Sequence, residues 1–337
     1  MNQAATVKRR DAPGPAQAPP LLQAMLRLLA PGGSDGLSIL IFHRVLAQPD
    51  PLFPDELDRE QFSRHIAMLA SAFTVLPLLD AVRLARSNRL PPRAACITFD
   101  DGYADNAEVA LPVLQQHGVH ATFFVASGFL NGGRMWNDSV IETVRRAPDG
   151  VLDASALGLG THSLDGIGAR RAAIPALIGQ LKYLPPPRRA ALVQQLAALA
   201  GGPLPDDLMM NSAQLHRLRD AGMGIGAHTV SHPILASLDA RRARDEMADG
   251  RAALEQLLGM PVPLFAYPNG KPGTDYLPEH VAMARGLGFE AAVSTAWGAS
   301  RGRPDWHQLP RFTPWDRSRL RFLLRMARNL TVRAAVA

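Results

Sequence analysis

Ala94-Ala95-Cys96-Ile97-Thr98-Phe99-Asp100-Asp101-Gly102-Tyr103 is the stretch on which the fold turns. Six apolar or β-favouring residues run without a break into two adjacent carboxylates and a glycine. A continuous run of this length marks a strand buried on both faces, as in a parallel sheet. The polar residues begin where that strand would end. Cys96, the single cysteine of the chain, sits inside the run and reads as a small buried hydrophobe with no disulfide partner.

The pattern repeats outward from there. Ser38-Ile39-Leu40-Ile41-Phe42 is a second such run and stops at His43-Arg44. Further strands are predicted over 121–125, 224–227, 264–267 and 291–294, and helical periodicity predicts helices over 58–73, 106–117, 212–221, 239–258 and 278–287. Repeated strand-then-helix units predict an α/β fold, a parallel sheet or (β/α) barrel, with its active site at the C-terminal ends of the strands. Residues 131–211 interrupt the alternation. They are rich in Ala and Leu, punctuated by Pro185-Pro186-Pro187 and Gly201-Gly202-Pro203, and read as a helical insertion that covers the groove. The expected organisation is therefore a basic, Pro/Ala-rich tail and short helix over 1–36, a barrel over 37–315, and a C-terminal helix over 316–337.

Composition narrows the function classes. With 337 residues, 47% hydrophobic and 20% charged, the chain has ample material for a core, which excludes a disordered or collagen-like protein. The net charge of +6 comes from Arg scattered over helices and termini and is only a weak pointer to anionic partners. No stretch reaches the ~18 consecutive apolar residues of a membrane span, and no export signal is evident, so a cytoplasmic location is the expectation. Segments 21–30 and 321–333 mix large apolar residues with Arg, a pattern that suits either packing on the domain or peripheral contact with a membrane. Neither a phosphate-cradling glycine loop nor a zinc-finger or basic-aromatic pattern is present, and no nucleic-acid partner is expected.

Two motifs carry chemistry. Asp100 and Asp101 follow a strand, where successive side chains point in different directions, so one can bind a metal while its neighbour faces substrate. His228-Thr229-Val230-Ser231-His232 supplies two imidazoles four positions apart, a spacing that brings them together on a helical turn or tight loop. Two His and one carboxylate form a usual catalytic zinc set. Each motif alone has an ordinary structural explanation, a turn for Asp-Asp-Gly and a surface pair for the histidines. Their joint position at predicted strand ends favours function.

Thr98-Phe99-Asp100-Asp101-Gly102-Tyr103, His228 to His232 with Pro233, and Phe265-Ala266-Tyr267-Pro268-Asn269-Gly270 together resemble the motifs of the NodB-type polysaccharide deacetylases, carbohydrate esterase family four. The resemblance implies a distorted (β/α) barrel, hydrolysis of N-acetyl and sometimes O-acetyl groups on sugars, and a divalent metal, zinc first, with cobalt or nickel as alternatives. Position by position, it makes Asp100 the catalytic base and Asp101, His228 and His232 the metal ligands. The backbone N–H of Asn269 would serve the oxyanion. The implied partner is an N-acetylated saccharide of an exopolysaccharide, a cell-wall polymer or a glycan precursor.

The chain departs from the family pattern twice. No Arg precedes Pro268 to orient the base, and Arg311 in Leu309-Pro310-Arg311 is the candidate substitute, with a plain surface Arg as the alternative. The late Leu-x-x-His that supplies the general acid is not evident after Ala291. In a circularly permuted member it would come first, and His43 at the end of Leu40-Ile41-Phe42-His43 fits that arrangement, with His307 as the fallback. Tyr103, Tyr267 and Trp136, with Asn137 and Asp138, are candidate sugar contacts, since aromatic faces stack on pyranose rings. Two rival functions remain at this level: another metal-dependent C–N hydrolase on the same barrel, and a silent carbohydrate-binding or scaffold protein.

Overall fold

Nine strands run through the residues that the computed structural model describes, 20–313 and 315–337. The tail expected at 1–19 lies outside the described residues. The strands are β1 (Ser38–Phe42), β2 (Thr74–Val75), β3 (Ala94–Phe99), β4 (Thr122–Val125), β5 (Val151–Asp153), β6 (Thr161–Ser163), β7 (Gly224–Ala227), β8 (Leu264–Ala266) and β9 (Ala291–Val293). A curled parallel sheet runs in the order β1-β3-β4-β7-β8-β9, and β2 adds to the start of β3. The gap between its two edges is bridged by residues 309–312: Leu309 pairs with Val293 and Phe312 with Leu40, both in parallel sense. The result is a distorted barrel, in line with the parallel sheet or barrel that the alternation predicts and with the distortion that the resemblance implies.

The reason is visible in the strand sequences. Every residue of β1, β3 and β4 is buried, and alternate side chains enter different cores. Leu40, Phe42, Ile97, Phe99, Phe123 and Val125 pack with the surrounding helices, while Ile39, Cys96 and Phe124 join a second cluster with Leu264, Ala266 and Val293 and with helix Leu78–Arg86. A period of two with both sets apolar produces a strand covered on both faces.

The region 131–211 differs in part from the helical expectation. Helices Trp136–Arg146, Gly166–Leu181 and Pro186–Ala197 surround their own apolar cluster, which includes Val140, Val144, Leu177, Leu181 and Leu196. Between the first two, however, β5 and β6 form an antiparallel hairpin. Gly150, Gly158 and Gly160 adopt positive φ around it, so turn geometry, and not the Ala/Leu composition, sets this piece. The helices Pro20–Leu29 and Arg319–Asn329 bury Leu26, Phe322, Leu323 and Met326 in the main core and leave Leu21, Leu28, Leu320 and Leu324 exposed. Among the described residues, no helix is long and apolar enough to cross a membrane.

Candidate active site

The C-terminal ends of the strands converge on one pocket of about 270 Å³. β1 delivers His43, β3 delivers Asp100 and Asp101, β7 leads into His228 and His232, and the turn after β8 brings Asn269. The insertion closes the other side with Met135, Trp136, Asn137, Ile178 and Lys182. Residues as distant in the chain as His43 and Asn269 share one cavity because parallel strands all end at the same rim.

Asp100 lies at the floor, 2% exposed, in a bidentate pair with Arg311: Nη1 donates to Oδ1 at 2.7 Å and Nη2 to Oδ2 at 2.6 Å. Arg311 is itself buried, and it also donates to Thr98 Oγ1 at 3.1 Å and, through Nε, to the Ser294 carbonyl at 2.9 Å. All three guanidinium nitrogens are therefore engaged, and the plain surface-Arg alternative does not describe it. Burial alone would raise the Asp100 carboxyl, but Arg311 and then His228 hold it below its ordinary value.

Asp101, His228 and His232 form the second cluster, with one ligand atom from each within 4.8 Å of the others. Both imidazole Nε2 atoms lie 3.4 Å from Asp101 Oδ1, which is buried and accepts no hydrogen bond. An orphaned carboxylate oxygen facing two imidazole nitrogens is costly unless a cation sits among them, so the residues fit a divalent metal. His228 Nδ1 contacts the Ala266 carbonyl at 2.7 Å, which assigns the proton to Nδ1 and leaves the Nε2 lone pair facing the cluster. Burial pushes His232 down to about 4 against the pull of the Asp101 carboxylate, so its ring is neutral at pH 7. His228 is raised: burial lowers it, but Asp100 and Asp101 outweigh that.

The histidine spacing is realised in a tight loop and not in a helix. Thr229 and His232 both have positive φ, of 65° and 53°, a strained state for residues with side chains. The surroundings over-determine it. Ser127 and Gly128 donate their amides to the Thr229 and Val230 carbonyls, while Glu246 accepts from the amides of Val230 and Ser231 and from the Ser231 hydroxyl. Helix Ala240–Leu258 approaches so closely that a Cβ on Gly250 would lie 2.6 Å from the Thr229 carbonyl carbon.

His43 is exposed and lines the pocket, and its backbone carbonyl is held by Asn106 Nδ2 at 2.8 Å. Asn269 also has positive φ, and its amide finds no acceptor among the described residues. Trp136 is half-buried in the wall, with the Arg189 guanidinium 4.9 Å above its ring. Tyr103 is buried and donates to Asp138 Oδ1 at 3.0 Å, facing a neighbouring pocket of about 190 Å³ that shares His43, Asp101 and Asn137 with the first. Tyr267 corrects the expectation: it is fully buried, stacked on Tyr276 and bonded to the His307 carbonyl at 2.9 Å, so no face is left for a sugar. The fallback acid His307 is likewise buried, with Nε2 on the Phe289 carbonyl, and lies outside the pocket lining. Thr98, Glu246 and Lys182 escape a reading of the sequence. The first two act through chain-distant contacts that leave no local signal, whereas Lys182 is one of only three lysines among 36 basic residues and could have been noticed for that.

Comparison with known proteins agrees with the geometry. The family model for polysaccharide deacetylase matches residues 87–165 and 199–292, just over half of the chain. The chain belongs to that family. It is 21% identical over 266 residues to the polysaccharide deacetylase homologue YxkH of Bacillus subtilis (strain 168), covering 78% of this chain and spanning about two thirds, 66%, of YxkH. Among solved structures, the deacetylase PplD of Streptococcus pyogenes, in complex with acetate, superposes with a TM-score of 0.56 at 18% identity, covering 86% of this chain and 97% of that one. IcaB from Ammonifex degensii gives 0.57 at 20% identity, with 87% and 97% covered. Both likenesses support the barrel.

Proposed function

We propose that this protein is a metal-dependent deacetylase that removes N-acetyl groups from sugar units of a polysaccharide or glycan precursor. The observation that carries the reading is the Asp100–Arg311 pair set beside the Asp101, His228 and His232 cluster, with Asp101 Oδ1 left without a donor. A divalent cation held by these three residues, zinc in this reading, would acidify a bound water and polarise the acyl oxygen. The protein's own groups supply the rest. Asp100, held ionised and oriented by Arg311, accepts the proton of the attacking water. The Asn269 amide donates to the oxygen on which negative charge develops. As the C–N bond breaks, His43 gives a proton to the departing amine, leaving acetate and a free amino sugar.

In this reading the first strand carries the acid that the family usually places late, so the chain is a permuted member. A silent scaffold has no need of a buried carboxylate locked by an arginine, since apolar side chains of similar volume would serve its stability as well. The shared wall of the two pockets, with Asn137 between them, suits a saccharide longer than one unit. A cytoplasmic precursor is the substrate location that this reading favours.

Substitution of the base tests it. Asp100→Asn should lower acetate release from an acetylated saccharide by at least about 10²-fold while the protein keeps its bound zinc. Unchanged release would remove Asp100 from the mechanism.

A further inference from the structure

Residues 166–198 form the internal gap between the two stretches that the family model matches. They fold into helices Gly166–Leu181 and Pro186–Ala197, and the turn between them begins with Lys182. Lys182 lines the same pocket as the Asp101, His228 and His232 cluster, with Trp136 and Ile178. Of the residues that line this pocket, Lys182 is the one lysine or arginine. Among the described residues, no carboxylate lies within ion-pair distance of its ammonium, whose contact is with the Tyr183 ring, 5.5 Å to the centroid. Of the two carboxylates that line the pocket, Asp100 is already paired with Arg311 and Asp101 faces His228 and His232.

The turn is built to hold that cation in place. Arg189, only 8% exposed, donates from Nη1 to the Lys182 carbonyl at 3.0 Å and stacks over Trp136, with no carboxylate partner among the described residues. Leu181, immediately before Lys182, is anchored in the insertion's own core. A buried arginine that spends its charge on a backbone carbonyl fixes the geometry of the residue carrying that carbonyl. An unpaired ammonium in a partly desolvated wall, next to an aromatic face, is a receptor for an anion.

We propose that Lys182 is a specificity-determining residue that recognises a negatively charged group, carboxylate or phosphate, on the acetamido saccharide bound in this pocket. This rests on the deacetylase reading and deepens it, because it commits the substrate to an acidic saccharide. A role in catalysis itself would instead slow neutral and acidic substrates alike.

The test uses the full, zinc-loaded chain and matched saccharides of one length: a neutral N-acetylglucosamine oligomer, the same oligomer with a carboxylate substituent, and the same with a phosphate monoester. Lys182→Gln should lower the acidic-over-neutral ratio of kcat/KM by about tenfold, the size of one charge-assisted hydrogen bond. The loss should fall on KM, and Lys182→Arg should retain most of the ratio. The carboxylate and phosphate arms show which anion the site takes. A ratio unchanged within about twofold, or an equal fall in kcat for neutral and acidic substrates, overturns the proposal. Should the wild type release no acetate from any of the three, the deacetylase reading fails separately. Calorimetric binding of the same saccharides then decides for Lys182: selective loss of acidic binding in Lys182→Gln upholds the recognition role, and equal binding refutes it.

Discussion

Arg311 and Asp100 are 211 positions apart, yet they make the best-defined polar contact of the pocket. The depressed Asp100 carboxyl contributes stability above its ordinary range, and that contribution is lost as pH falls through its lowered value. Removing the partner should hurt more than neutralising both. Arg311→Met leaves a buried, unpaired carboxylate and should cost about 3–5 kcal/mol at neutral pH, measured by denaturant unfolding. The double variant with Asp100→Asn should recover part of that loss, and a fully additive double variant would contradict the pairing. Asp138 behaves oppositely. Burial raises it to about 6 against the pull of Arg44 and Tyr103, and its Oδ2 has no partner. Its folded-state value lies above the unfolded one, so the native protein is penalised increasingly as pH rises from about 4 through about 6. Asp138→Asn keeps an acceptor for the Tyr103 hydroxyl and should stabilise the protein by ~1–3 kcal/mol at neutral pH, with little gain near pH ~4. A pH-independent difference in unfolding free energy would refute this assignment.

At the scale of elements, the loop between His228 and His232 depends on its neighbours more than on itself. Gly250 lets helix Ala240–Leu258 reach the Thr229 backbone, and Glu246, one turn earlier, ties the loop amides. Gly250→Ala should therefore displace the metal loop and weaken zinc binding by roughly tenfold or more, the scale seen when outer supports of metal ligands are lost. Zinc titration with a competing chelator reads it, and unaltered affinity would show that the loop holds itself. Six strands of the parallel sheet are legible in the sequence because each is a short apolar run, and β1, β3 and β7 end directly in His or Asp; the two-residue β2 is too short to leave such a run. The clustering of Asp101, His228 and His232 is legible for the same reason, since both motifs sit next to strand ends. Arg311 can be named as a candidate but not placed: its contact depends on barrel closure by residues 309–312, which pair at only two points and carry no strand-like run. Tyr267 departs from its expected role because a tyrosine after a strand can face the rim or the core, and its hydroxyl finds the His307 carbonyl inside. The β5–β6 hairpin is hidden by an Ala/Leu-rich setting whose turn glycines look like interhelical punctuation.

At the scale of the whole molecule, the barrel brings His43, Asp100, Asp101, His228 and His232 to one rim, and the insertion supplies the facing wall. The two parts have separate apolar clusters, so the wall holds its shape by its own packing. Metal should stabilise this assembly by mass action, since the ligand cluster exists only when the loops are folded. Zinc added to chelator-stripped protein should raise Tm, and in His232→Ala it should not; a shift of equal size in both would place the metal elsewhere. The most direct measurement is acetate release from N-acetylated oligosaccharides by chelator-stripped protein, before and after reloading with zinc. The expected result is little or no release when stripped and restored release when reloaded. Release that is indifferent to the chelator, or none from a folded, zinc-loaded protein on neutral and acidic substrates alike, would contradict the metal-dependent deacetylase.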